Sequence, residues 1–260
     1  MSERGAASGD LFSLRGTVAV VTGAARGIGR AAAHALAAHG ATLVLVDRLE
    51  PRLAETADEL TRAGTEVRTL TADITAGGVG DRIAGAARDL DTPTVVVNAA
   101  GIMVRTSITE LGAAQLDELW RVNVRGTVEV TQGLLPGMIE RGYGKVINVG
   151  SLGSVRGLEG RTGYATTKGA VAQYTMSLAS EAGAYGVRAN VIAPGYVATD
   201  MAAPWIFGDA DRTQRLRARI PLGHFAEPDD LAGTFVFLAA RASDYITGQT
   251  IVIDGGWTTT

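Results

Sequence analysis

The chain has 260 residues, with 24 basic against 27 acidic side chains, a formal net charge of −3 and no cysteine. This balance lacks the basic footprint of a nucleic-acid binder, and without cysteine there are no disulfides, no thiolate catalysis and no thiolate metal sites. The three histidines (His34, His39, His224) share no ligand spacing, no stretch approaches the ~18 consecutive apolar residues of a membrane helix, and the small, polar first dozen residues do not read as a secretory signal. The expectation is a cytoplasmic protein with no metal, no nucleic-acid partner and no membrane partner.

Residues 1–13 read as a disordered tail, and 14–260 as a single catalytic domain, a length suited to one doubly wound sheet. A first apolar run at 18–22 leads into a helix at 28–39, then a strand at 42–46 and a helix at 52–63. A strand at 67–70, a helix at 79–89 and a strand at 94–98 follow. One long helix is predicted at 113–141, then a strand at 145–149, a helix at 163–185 and a strand at 187–192. A helix opened by Pro228 in its first turn spans 228–240, and a last strand lies at 250–253. The strand runs read as continuously apolar rather than alternating, the pattern of strands buried on both faces of a parallel sheet. Strict strand–helix alternation predicts an α/β fold: a single Rossmann-like doubly wound domain whose seven-stranded parallel sheet is flanked by helices on both faces. The segment at about 200–224, with Trp205, Phe207 and several arginines, breaks the alternation and reads as a substrate lid over the strand ends.

The first strand runs into TGAARGIG at 22–29. Glycines at a strand-to-helix turn let the backbone approach a pyrophosphate, whose charge sits at the helix N-terminus. The spacing is G-x-x-x-G-x-G, not the G-x-G-x-x-G of the common dinucleotide fingerprint. It resembles the TGxxxGxG motif of the short-chain dehydrogenase/reductase family, with Gly23, Arg26, Gly27, Ile28 and Gly29 at the cofactor turn. Asp47 closes the second strand, where a carboxylate accepts from ribose hydroxyls and repels a 2′-phosphate. It selects NAD over NADP, against the opposite pull of Arg26 and Arg48. Further along, the resemblance implies an adenine contact at Asp73 and Ile74. It implies a second cofactor turn at Asn98, Ala99 and Gly101, where Ala99 departs from the family's NNAG.

The strongest chemical signal is YATTK, Tyr164 to Lys168. On a helix, i and i+4 share a face, and an ammonium beside a phenol lowers the tyrosine pKa toward the range of a general acid/base. Lys168 is one of two lysines (with Lys145) among 24 basic residues, which marks it out in a chain that otherwise uses arginine. Ser151 lies 13 positions before Tyr164, at the end of a predicted strand. The family places its catalytic serine there, and Ser154 is the nearby rival. The resemblance further implies that Asn123 holds a water linking Lys168 to solvent. It implies that Pro194, Gly195, Val197 and Thr199 hold the nicotinamide carboxamide, with Tyr164 and Lys168 also touching the cofactor. Assembly into tetramers through the long helices is implied as well.

The motifs together imply an NAD(H)-dependent oxidoreductase that interconverts a secondary alcohol, such as a sugar or polyol, and its ketone. An NADPH-dependent 3-oxoacyl reductase and a non-catalytic NAD-binding scaffold are the alternatives. A hydrolase is disfavoured because no G-x-S-x-G elbow or histidine accompanies Ser151. Candidate substrate contacts are Met103, Val104, Leu152, Val155, Trp205 and Phe207, with Arg105, Arg156 and Arg161 able to bind a carboxylate.

Overall fold

The structure is a computed structural model that describes residues 10–259. Its strands are β1 (Val18–Thr22), β2 (Thr42–Asp47), β3 (Val67–Thr71), β4 (Val95–Asn98), β5 (Gly144–Val149), β6 (Val187–Pro194) and β7 (Thr250–Ile253). All pair in parallel, in the order β3-β2-β1-β4-β5-β6-β7. The helices are α1 (Gly27–Ala38), α2 (Glu50–Arg62), α3 (Val79–Ala86), α4 (Ala113–Trp120), α5 (Thr127–Arg141), α6 (Thr162–Ala182), α7 (Ala203–Phe207), α8 (Ala210–Ala218) and α9 (Ala232–Ala239).

Successive strand side chains point to opposite faces, so an uninterrupted apolar run feeds two cores. Ala19 and Val21 of β1, with Leu43 and Leu45 of β2, pack on Leu36 of α1, Leu53 of α2 and Phe235 of α9. Val18, Val20, Val44 and Val46 pack on Ile83 of α3, Leu134 and Met138 of α5 and Leu178 of α6. The two helical layers follow directly from that parity. β3 departs from the expected double burial: Arg68 and Thr69 are exposed, because β3 is an edge strand, and the polar residues of its own sequence mark it as one.

The long helix expected at 113–141 is interrupted. Residues Arg121–Gly126 form a π-helical segment between α4 and α5, the kind of widened turn that often falls at functional positions. In the irregular segment, Asp209 caps α8 by accepting from the Arg212 N–H at 2.6 Å. A third apolar cluster (Leu152, Tyr196, Ile206, Ile220, Phe225, Trp257) seats α7 and α8 against the ends of the strands. Of the expected tail, residues 1–9 lie outside the described residues; the Leu11 carbonyl accepts from the Ala242 N–H at 3.2 Å. Among the described residues, no helix is long and apolar enough to cross a membrane, and no cluster of His, Cys, Asp or Glu could hold a metal ion.

The strand order reverses between β1 and β4, and in open parallel sheets the crevice beyond the strand ends at that reversal is where ligands bind. A cleft opens there, lined from the β1 turn, the ends of β2 to β6 and the start of α6.

Candidate active site

The turn after β1 is shaped for close approach. Gly23 has φ +70°, and a Cβ there would lie 2.7 Å from the Ala100 N; a Cβ on Gly29 would lie 2.2 Å from the Gly23 carbonyl oxygen. Helix α1 then begins with no side-chain cap at Arg26 and no acidic residue in its first turn. Its free N–H groups and positive dipole end therefore face the cleft unneutralised, a fit for the phosphates of a dinucleotide. Gly23, Arg26, Gly27, Ile28 and Gly29 all line the cleft.

Asp47 sits beside this turn with both oxygens engaged. Oδ2 accepts from the Ala25 N–H and Oδ1 from the Leu49 N–H, each at 3.0 Å. The carboxylate is thereby fixed at the tip of β2. Arg48 and Arg26 also line the cleft, but Arg26 leans toward Asp200 (3.8 Å), which Arg52 holds at 2.6 Å. Asp73 and Ile74 form the next wall. Asp73 Oδ1 accepts from the backbone and hydroxyl of Thr75, both at 2.8 Å. Those bonds, with the charges of Arg48 and Arg121, hold its carboxyl below the usual range.

Ala99 and Gly101 line the cleft, whereas Asn98 does not. Asn98 is buried one layer back, donating to Thr131 Oγ1 (3.0 Å) and Asn148 Oδ1 (2.8 Å), so it ties β4 to β5 and α5 and makes no wall of the expected cofactor turn. Pro194, Gly195, Val197 and Thr199 form the opposite wall with Tyr196. Tyr196 and Asp200 were not singled out in the sequence; their place beside the P-G turn after β6 was the only signal for them.

Tyr164, Ser151 and Lys168 converge at the inner end. The Ser151 hydroxyl lies in the same cleft as the Tyr164 phenol and favours its ionised form. Ser154 is turned away: its Oγ donates to the Lys168 carbonyl at 2.9 Å and accepts from the Ser151 N–H. The geometry therefore favours Ser151 over its rival. Lys168 Nζ donates to the Val149 carbonyl at 2.7 Å and lies 5.8 Å from the centre of the Tyr164 ring.

Electrostatics here differ from the expectation that Lys168 lowers the tyrosine pKa. Burial dominates and pushes Tyr164 up; what pulls it down is the Ser151 hydroxyl and the charges of Arg161 and Arg105. Burial also lowers Lys168 to about 8. An unfolded lysine keeps its proton to about 10.5, so between these values the unfolded chain binds more protons and stability rises with pH. The buried ammonium thus costs stability below pH 8. Lys168→Met is expected to be about 2 kcal/mol more stable than the parent at pH 7, net of the lost bond to Val149. The gap should close by pH 10.5. Urea denaturation midpoints at the two pH values check this, and a parent that is the more stable at pH 7 would contradict it.

Asn123 lies in the π segment, fully buried and behind the cleft wall. Its Nδ2 donates to the Ile102 carbonyl (2.9 Å) and Thr167 Oγ1 (3.0 Å), and its Oδ1 accepts from the Ile102 N–H (2.9 Å). The asparagine clamps the loop after β4 to the helix bearing Tyr164 and Lys168, with both its donors used on protein. Of the candidate substrate contacts, Met103, Arg105 and Arg161 line the cleft. Val104, Leu152, Val155, Phe207 and Arg156 do not, and Arg156 donates instead to the Thr258 carbonyl at 3.2 Å. Trp205 covers Arg105, whose guanidinium lies 3.8 Å from the ring centre.

Residues 23–258 match the family described as enoyl-(acyl carrier protein) reductase. The chain is 37% identical over 250 residues to gluconate 5-dehydrogenase of Gluconobacter oxydans, covering 96% of this chain and 97% of that one.

The chain is a short-chain dehydrogenase/reductase.

The dehydrogenase is also 35% identical over 260 residues to galactitol 2-dehydrogenase (L-tagatose-forming) of Cereibacter sphaeroides, covering 95% and 97% of the two chains. A crystal structure of a gluconate 5-dehydrogenase from Burkholderia cenocepacia in complex with NADP and tartrate superposes with a TM-score of 0.91, at 34% identity and 96% and 98% coverage. The dehydrogenase is accordingly an enzyme of CH–OH groups that works with a nicotinamide dinucleotide, and its cleft has the glycine cradle and uncapped helix such a cofactor requires.

Proposed function

We propose that this dehydrogenase interconverts a secondary alcohol of a hydroxyl-rich, sugar- or polyol-like molecule and its ketone, with NAD(H) and with Tyr164 as acid/base. The observation that carries this reading is the convergence of Tyr164, Ser151 and Lys168 at the inner end of a cleft that Asp47 closes at the other. The relatives' names, a gluconate and a galactitol dehydrogenase, support the substrate type.

In the oxidative direction Ser151 and Tyr164 hold the substrate hydroxyl, and Tyr164 takes its proton as the carbinol hydrogen departs as hydride. When bound, the nicotinamide supplies the hydride acceptor, or the donor in reverse. Arg161 and Arg105 supply the charge that favours the ionised phenol, Lys168 is anchored on the Val149 carbonyl one helical turn from Tyr164, and Asn123 positions Lys168's helix against the loop after β4. The turn at Gly23, Arg26, Gly27, Ile28 and Gly29 holds the pyrophosphate, Asp47 the adenosine ribose, and Asp73 and Ile74 the adenine. Ala99, Gly101, Pro194, Gly195, Val197 and Thr199 enclose the nicotinamide half, and residues 200–224 act as the substrate lid. Half-exposed Leu116, Trp120 and Met176 on α4 and α6 support a homotetramer built through those helices.

A second reading, NADP(H), is favoured by the NADP in the Burkholderia structure and by Arg48 on the cleft wall. Fluorescence titration with NADH and NADPH decides between them. NADH binding at least tenfold tighter is the expected result; tighter NADPH would mean that the arginines outweigh Asp47.

A further inference from the structure

Among the described residues, eight arginines of this chain, Arg26, Arg30, Arg52, Arg68, Arg121, Arg125, Arg141 and Arg241, each have a carboxylate within 4.0 Å. Arg105 and Arg161, which line the cleft together with Tyr164 and Ser151, are not among them. Arg161 is 9% exposed and Arg105 is half-buried, and among the described residues neither has a carboxylate at ion-pair distance. A buried charge without a counter-charge is costly, so the arrangement is the opposite of what stability alone would select.

Arg161 stands at the N-cap of α6, three residues before Tyr164. One of its terminal nitrogens donates to the Tyr196 hydroxyl at 2.8 Å, while its Nε is buried with no partner. Its guanidinium lies 5.3 Å from the Tyr196 ring centre and 5.4 Å from that of Trp205. Arg105 lies against Trp205, and burial together with the charge of Arg161 lowers its pKa to about 10. The aromatic faces hold these cations without neutralising them. Two like charges are thus kept together, one with an open donor, in the same cleft as Tyr164 and Ser151.

We propose that Arg161, with Arg105, binds a carboxylate of the substrate, so that this dehydrogenase selects hydroxy acids over neutral polyols. The inference rests on the alcohol–ketone reading above. The relatives' names do not decide it, since they include both an acid and a neutral polyol substrate. A planar guanidinium fork matches carboxylate geometry, and Arg105 and Arg161 line the same cleft as the Tyr164 and Ser151 hydroxyls.

The test compares gluconate with glucitol, a pair that differs by a carboxylate against a hydroxymethyl group, for the parent, Arg161→Gln and Arg161→Lys. The parent is expected to prefer gluconate at least tenfold in kcat/KM, the glutamine variant to lose that preference through KM, and the lysine variant to regain part of it. A parent that uses glucitol as well as gluconate, or a glutamine variant that keeps the preference, overturns the proposal. Should the parent turn over neither compound, calorimetric titration of tartrate into the enzyme–NADH complex decides. Binding that weakens at least tenfold in Arg161→Gln supports the carboxylate site, and no binding to the parent overturns it. NADH fluorescence, measured on every variant, shows that the fold and cofactor site are intact. A parent that fails to bind either dinucleotide would overturn the alcohol–ketone reading itself, an outcome distinct from failure of the anion site.

Discussion

Tyr164→Phe is expected to lower turnover by about 10³-fold, within the range that positioned proton transfer supplies, while the affinity for NADH stays within about twofold. The phenol lines the cleft with Ser151 and Lys168, whereas the other phenol of the cleft, Tyr196, accepts from Arg161 at 2.8 Å. Ser151 stabilises the ionised form of Tyr164, and the charges of Arg161 and Arg105 act in the same direction against burial. Phenylalanine keeps the ring, its packing and its place on α6, and removes only the group that carries the proton. Loss through kcat is therefore expected rather than through cofactor binding, read by steady-state rates beside NADH fluorescence. Near-normal rates in this variant would remove Tyr164 as the acid/base.

The pH dependence of the parent follows from the same groups. Oxidation requires a phenol able to accept a proton, and burial holds Tyr164 above its ordinary value, so the oxidative rate should rise with pH through the neutral and mildly alkaline range. Neutralising Arg161, whose charge favours phenolate, should move that rise to higher pH. This shift has the same sign whatever the substrate, because it reports on the phenol.

Much of this architecture was legible because its signals are local. Continuous apolar runs at β1, β2 and β4 to β6 can be buried on two faces only in a covered parallel sheet, and the glycine turn and the i, i+4 pair Tyr164–Lys168 each lie within one element. What was not legible depends on contacts between elements far apart in the chain. Asn98 reads as part of the cofactor turn, yet its side chain is spent on Thr131 and Asn148, on α5 and β5. The π segment at Arg121–Gly126 leaves no mark in apolar periodicity, since the widened turn is stabilised by what Asn123 reaches, Ile102 and Thr167. Gly80 and Gly133 are where α3 and α5 touch backbone to backbone, a Cβ on Gly133 falling 2.3 Å from the Gly80 carbonyl carbon, a contact that neither helix's own sequence marks. Three arginines were equal candidates for a substrate anion, and only the fold turns Arg105 and Arg161 inward and Arg156 out.

Asp47→Asn is expected to shift the ratio of NADPH to NADH affinity toward NADPH by about five- to a thousandfold. Two unit charges about 4 Å apart interact by ~1–4 kcal/mol across effective dielectrics of 80 to 20. That repulsion discriminates because the 2′-phosphate is the charge that NADPH has and NADH lacks, the pyrophosphate being common to both. The carboxylate cannot rotate away to relieve it, because Oδ2 is held by the Ala25 N–H and Oδ1 by the Leu49 N–H. Asparagine removes the charge and keeps one acceptor. It loses one of these two bonds, so NADH affinity should itself fall by a few-fold, about 1 kcal/mol, and the ratio rather than either affinity alone is the diagnostic quantity. With the aspartate neutralised, Arg48 faces a 2′-phosphate unopposed, whereas Arg26 remains drawn toward Asp200. Adding Asp200→Asn should then free Arg26 and move the ratio further in the same direction. A ratio unchanged by Asp47→Asn would mean that the ribose end of the cofactor lies away from Asp47, and selection would have to be sought at Arg48.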